Sequence, residues 1–89
     1  MGTTMSKFKE ALVKAFEKNY PIIIEIYFGS MEFLTGECDM VKVNCEDDHV
    51  IVKTGECEIN LGIFHNVEYD DDDECYIFKD GDLSIEVCF

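Results

Sequence analysis

Arginine and tryptophan are absent from this 89-residue chain, and proline occurs once. Its cations are seven lysines set against 20 Asp and Glu, a formal net charge of −13. These shortages exclude whole classes of function. Proteins that hold DNA or RNA neutralise phosphates with Lys and Arg. Seven lysines amid such an excess of acids exclude direct nucleic-acid binding. The same balance excludes adhesion to an anionic membrane, and no apolar run approaches the ~20 residues of a spanning helix. The first twenty residues carry no apolar stretch of the secretory kind, which points to the cytoplasm. His49 and His65 are the only imidazoles. Neither forms a motif with a cysteine, and a nucleophilic cysteine needs a base and a group to orient it. The chain is therefore read as non-catalytic and without a cofactor.

Metal chemistry is equally short of support. The five cysteines (Cys38, Cys45, Cys57, Cys75 and Cys88) include no C-x-x-C pair. Cys38, Cys45, His49 and Cys57 lack the spacing of a zinc site. The four successive aspartates at 70–73 lack the alternation and the glycine of a calcium loop. No metal site is assigned. An odd cysteine count without an export signal reads as five free thiols in a reducing compartment, serving as small buried hydrophobes.

What is present is a folding composition: 47% hydrophobic and 12% aromatic, enough for a core but only for one domain, residues 1–89. Charge divides the chain. Residues 1–18 hold four Lys and two Glu, and residues 19–89 hold three Lys and 18 acids. The basic arm reads as one amphipathic helix over 4–19, because Met5, Phe8, Leu12, Ala15 and Phe16 recur at three- and four-residue steps. Thr4 or Ser6 would cap its start, and Asn19, Tyr20 and Pro21 would end it.

Everything from 21 to 89 reads as strands, at 22–28, 31–35, 38–45, 49–54, 57–64, 75–78 and 83–89. Gly36-Glu37, Gly55-Glu56 and Asp80-Gly81 are the expected two-residue hairpin turns. No connection is long enough for a parallel crossover. The fold expected is α+β: an N-terminal amphipathic helix packed on a strongly bent, largely antiparallel sheet or small barrel of about five to seven strands. The expected core is Phe8, Leu12, Phe16, Ile24, Ile26, Phe33, Val41, Val43, Ile59, Leu61, Ile63, Ile85 and Val87. Thr35-Gly36-Glu37-Cys38 is echoed by Thr54-Gly55-Glu56-Cys57, read as two hairpins converging on one turn chemistry.

The order of a helix, the bent strand Ile22-Ile23-Ile24-Glu25-Ile26-Tyr27-Phe28-Gly29, then Phe33 and Gly36, residues 41–44, Ile59-Asn60-Leu61 and residues 63–67 resembles the Sm-like and SH3-like small barrels. The resemblance implies that architecture. It does not imply RNA binding, because the family's Arg-Gly contact has no counterpart in a chain without arginine. In size and charge the chain also resembles the small acidic inhibitors that phages direct against host defence, of the anti-CRISPR and DNA-mimic kind. That likeness implies the cytoplasm of a bacterial host.

In a simple meander, successive turns alternate between the two ends of the sheet. Glu46, Asp47 and Asp48 would then share one end with Asp70, Asp71, Asp72, Asp73 and Glu74. Glu37, Asp39, Glu56, Glu58, Asp80 and Asp82 would share the other. Crowded like charges destabilise a free fold, so clustering of this kind points to a partner with a basic surface. The candidate contact set is Glu37, Glu46, Asp47, Asp48, Glu56, Asp70, Asp71, Asp72, Asp73, Glu74, Asp80 and Asp82. The function expected is inhibition of a basic, nucleic-acid-handling protein. The alternative is an acidic Sm-like module that assembles with itself or joins a larger complex, and a cation-buffering protein stands third. The oligomeric state stays open.

Overall fold

The computed structural model describes residues 4–44, 49–55 and 57–89. Helix α1 (Thr4–Glu17) buries Phe8, Leu12 and Ala15. Thr4 and Ser6 lie inside its first turns instead of capping it. Its end is a Schellman motif, in which the last carbonyls are satisfied from beyond the helix. The Tyr20 N–H donates to Ala15 O (2.9 Å) and the Asn19 N–H to Phe16 O (3.2 Å), with Asn19 in the left-handed region at φ 57.

Among the described residues eight antiparallel strands follow: β1 (Ile23–Phe28), β2 (Met31–Glu37), β3 (Met40–Asn44), β4 (His49–Thr54), β5 (Cys57–Asn60), β6 (Asn66–Asp70), β7 (Cys75–Asp80) and β8 (Leu83–Cys88). They form a five-stranded sheet in the order β2-β1-β8-β7-β6 and a three-stranded sheet in the order β3-β4-β5. The α+β architecture with one N-terminal helix and a bent sheet is as expected. The sheet does not close into a barrel.

The bend falls at Cys38 and Asp39. The Cys38 N–H still donates to Ile22 O just ahead of β1 (2.8 Å), while the Asp39 N–H donates to Lys53 O in the second sheet (2.7 Å). The chain therefore changes sheets there, and Gly36-Glu37 is not a hairpin turn. Gly36 lies inside β2 opposite Ile24. Its requirement is space: a Cβ at this position would come within 2.6 Å of Thr54 Oγ1, and that hydroxyl donates to Glu37 O at 2.8 Å. The two copies of the Thr-Gly-Glu-Cys echo thus do different work, one inside a strand and one at a turn, and they touch each other.

The last hairpin also departs from expectation. Asp80 pairs with Leu83, so its loop is Gly81-Asp82, with Gly81 at φ 60. Moving the loop by one residue resets every cross-strand partner. Cys75 now faces Cys88 instead of Glu86, and the two form a disulfide with Cα atoms 4.2 Å apart. The expectation of five free thiols is therefore corrected. Cys38 and Cys57 are free and half-buried, and Cys45 lies outside the described residues.

One apolar core joins the helix to both sheets. Phe8 and Phe78 meet edge to face at 4.7 Å, and Phe8 and Tyr76 lie 5.1 Å apart. Val50, Val52, Phe64, Tyr76 and Phe78 belong to this core although the sequence did not single them out. Three expected members are exposed: Phe16 (38%), Ile63 (66%) and Phe33 (76%). Phe33 is displaced by the register shift opposite Ile26 and Tyr27 in the β1–β2 pairing. Ile63 is displaced because the alternation of β5 stops at Asn60, whose side-chain oxygen accepts the N–H groups of Val50 and Gly62 and starts a 3₁₀ turn, Leu61–Ile63. Val41, Val43 and Ile59 pack against the core only partly buried.

Candidate functional site

Residues opposite each other in register share one face of a sheet. In the five-stranded sheet, Ile24, Ile26, Val67, Tyr76, Phe78, Ile85 and Val87 face α1 and the core. The other face is open and carries Glu25, Glu68 and Glu86. One row across it reads Thr35, Glu25, Glu86, Ile77, Glu68. The next reads Glu37, Ile23, Cys88, Cys75, Asp70. Glu25 and Glu86 are direct partners on adjacent central strands, a like-charge pairing that weakens a sheet. Lys79, on the same face, lies 3.4 Å from Glu68.

These charges act on one another. The carboxyl of Glu86 is pushed up from its ordinary value by partial burial, then by Glu25, Asp73 and Asp70, with Lys79 pulling the other way. Tyr27, on the same face, is also raised, by partial burial and then by Glu25, Glu32 and Glu86. The aspartates of the β6–β7 loop therefore reach into the sheet face electrically. Loop and face form one acidic surface.

The folded state holds the Glu86 proton more tightly than the unfolded chain does. This group's stabilising contribution is complete below the ordinary glutamate pKa of ~4.3 and is lost as pH rises through the folded value. Glu86→Gln is accordingly expected to raise the melting temperature at pH 7 and to change it little at pH 3. Thermal melts at the two pH values check this, and a lower melting temperature at pH 7 would contradict the crowding.

The structure brings some of the expected acids together and separates others. Asp70 ends β6, and Asp71, Asp72, Asp73 and Glu74 form the exposed loop to β7, with the Asp72 N–H donating to Asp70 Oδ1 at 3.0 Å. Glu37 belongs to this end of the sheet, four strands from Asp70 in the same row. It is not at the end of Asp80 and Asp82, where a meander would put it, because β2 returns beside β1 and the chain then leaves for the second sheet. Asp80 and Asp82 stand at the opposite end, beside Phe28 and Met31. Asp39 has a structural role, its Oδ2 accepting the Gly55 N–H at 2.8 Å. Glu46, Asp47, Asp48 and Glu56 lie outside the described residues.

Glu25, Glu32, Glu68 and Glu86 were not among the candidates from sequence because they lie singly within strands, away from the charge runs and turns. Their signal was the alternation itself: Glu25 sits between Ile24 and Ile26, and Glu86 between Ile85 and Val87, which places both on the face away from the core.

Among the described residues, no three His, Cys, Asp or Glu side chains are placed to hold a metal ion. Burial pushes the Cys38 thiol up and Asp39 adds to the effect, against hydrogen bonds to Met40 and Lys53 that lower it. A raised thiol is a poor nucleophile and a poor ligand. A hollow of about 660 Å³ between the start of α1 and residues 62–67 contains His65 but, among the described residues, no carboxylate or thiol. No helix among the described residues is long and apolar enough to cross a membrane. Comparison with known protein families, with curated proteins and with solved structures finds no match.

Proposed function

We propose that the chain is a non-catalytic acidic inhibitor that binds the basic surface of a nucleic-acid-handling protein, in the manner of the anti-CRISPR and nucleic-acid-mimic proteins of phages. One observation carries the reading: Glu25 and Glu86 are opposed on an open sheet face and are joined electrically to Asp70 and Asp73 of the neighbouring loop. This arrangement costs the free protein stability, and a cationic partner relieves the cost on binding.

Spacing concentrates charge at one point of the face. Adjacent strands lie ~4.8 Å apart, so Glu25 and Glu86 form one close pair of carboxylates, and Ile77 separates Glu86 from Glu68 in the same row. The site is accordingly Glu25, Glu86, Glu68 and the loop acids Asp70, Asp71, Asp72, Asp73 and Glu74, with Glu37 at the far end of the row of Asp70. A target that handles nucleic acid places the protein in the cytoplasm of a bacterial host.

Binding of this kind is screened within ~8 Å at physiological salt. Replacing Asp70, Asp71, Asp72 and Asp73 together by Asn is expected to slow association several-fold without unfolding the protein, measured by surface binding kinetics at low and at physiological salt. Lys7, Lys9, Lys14 and Lys18 changed to Gln are expected to leave both fold and binding nearly intact. An oligomer that those lysine changes disperse, seen by light scattering, would favour a self-assembling module instead.

A further inference from the structure

The end of the five-stranded sheet opposite the 70–74 loop is apolar as well as acidic. Phe28 and Met31 close the β1–β2 hairpin as direct cross-strand partners, and Phe33 follows two residues along the edge strand β2. They are 60%, 69% and 76% exposed. Isolated exposed apolar side chains are ordinary, but three large ones at one hairpin end form a patch of the kind found at binding sites. Three acids lie beside the patch, Asp80 and Asp82 at the same end of the sheet and Glu32 on the other face of β2, opposite Tyr27. Glu32 lies between Met31 and Phe33. Leu83 pairs with Phe28, and the Gly29 N–H donates to Asp82 O at 2.8 Å, which brings Asp80 and Asp82 alongside. An apolar centre with a charged rim is the anatomy of an interface anchor.

We infer that Phe28, Met31 and Phe33 are the anchor of the partner interface, inserted into an apolar groove that the partner borders with Lys and Arg. The inference rests on the reading of the chain as a binder of a basic protein and says where that binding is held. Charge selects the partner. The acidic rim disfavours a nucleic acid and an anionic lipid surface. It also disfavours the same patch on a second copy, which would bring identical acids together on chains that each carry a net charge of −13. A cationic protein surface with an apolar groove satisfies both parts. The two regions then have separate kinetic duties: the acidic sheet face governs the rate of encounter, and the hairpin end governs the lifetime of the complex.

The test uses the full-length chain. A photo-reactive benzoylphenylalanine is placed at position 33 and, as a control, at position 63, another well-exposed apolar site on a different element. Illumination in low-salt bacterial lysate is expected to give crosslinks to basic proteins from position 33 and none of comparable yield from 63. The crosslinked protein is then purified for kinetics. Phe33→Ser is expected to speed its dissociation roughly tenfold with the association rate nearly unchanged, whereas Phe33→Leu keeps most of the lifetime. Melting curves show that the variants remain folded, as a residue this exposed allows.

Four results overturn the inference: equal crosslinking from both positions, crosslinks only to a second copy or to lipid, no crosslink at all, or a Phe33→Ser complex with wild-type lifetime. The two proposals fail separately. A partner lost with the Asp70, Asp71, Asp72 and Asp73 changes but indifferent to Phe33→Ser leaves the acidic-inhibitor reading standing without this anchor. A partner lost with Phe33→Ser but indifferent to salt and to the aspartates leaves the anchor without that reading.

Discussion

Phe8→Ala is expected to remove ~3–5 kcal/mol of stability, the loss found for a buried aromatic whose cavity cannot collapse. Phe8 is fully buried and touches the rings of Tyr76, Phe78 and Phe89. It fixes the helix to strand β7 and to Phe89 just beyond β8. Domains have only ~5–15 kcal/mol in all, and one this small sits near the lower end, so the variant should be largely unfolded at 37 °C. Phe16→Ala supplies the contrast. Phe16 shares the helical stripe but is 38% exposed, and its truncation is expected to cost about 1 kcal/mol. Urea unfolding of both variants measures the difference. Equal losses would mean that the helix packs on a different face.

The second large effect concerns Cys75 and Cys88. Their bond spans 13 residues of sequence, and closing a loop of that size restrains the unfolded chain by ~3 kcal/mol. For a domain of this length, that corresponds to about 12–25 °C in melting temperature. Cys75→Ala with Cys88→Ala, or strong reductant on the wild type, should produce a shift of this order. Thiol titration of the unfolded, unreduced protein should find three free groups of the five. Five free thiols, and a melting curve indifferent to reductant, would contradict the pairing. In a bacterial cytoplasm the bond would face cellular thiols, and exchange requires access to a sulfur. Cys75 is only 5% exposed and Cys88 is half-buried, so exchange would begin at Cys88.

The fold class, the helix and most strand positions were legible because they are written in local periodicity. Phe8 and Leu12 at helical spacing, and Ile24, Ile26, Ile85 and Val87 at strand spacing, were assigned to the core and lie there. What local pattern does not carry is which strands pair. Gly36-Glu37 and Gly55-Glu56 look alike as dipeptides, yet only Gly55 stands at a turn. The difference is set by the close approach of Thr54 to Gly36, a contact between residues far apart in sequence. A turn placed one residue early at Asp80-Gly81 hid the partnership of Cys75 with Cys88. Strand β6 was not legible because its short alternation runs directly into the acidic run at 70–74 with no turn signal between them.

The acidic site shows the same division. The loop acids at 70–74 were visible as a run. The acids of the sheet face were visible only one at a time, as polar residues between apolar neighbours. Their juxtaposition depends on β1 lying beside β8, which joins residues near the two ends of the chain, and no spacing rule encodes that neighbourhood. With that pairing, Glu25 and Glu86 stand directly opposite each other as a like-charge pair on the open face.

The central claim is that this acidic surface stands in for nucleic acid on a basic protein. Competition tests it most directly. Wild-type protein is immobilised, the proteins it retains from bacterial lysate at low salt are challenged with duplex DNA, and the capture is repeated with Asp70, Asp71, Asp72 and Asp73 changed to Asn. The account predicts that a basic, nucleic-acid-binding protein is retained, is displaced by DNA and by rising salt, and is held far less well by the substituted chain. A retained partner that neither DNA nor salt displaces, and that binds the substituted chain equally well, would contradict it.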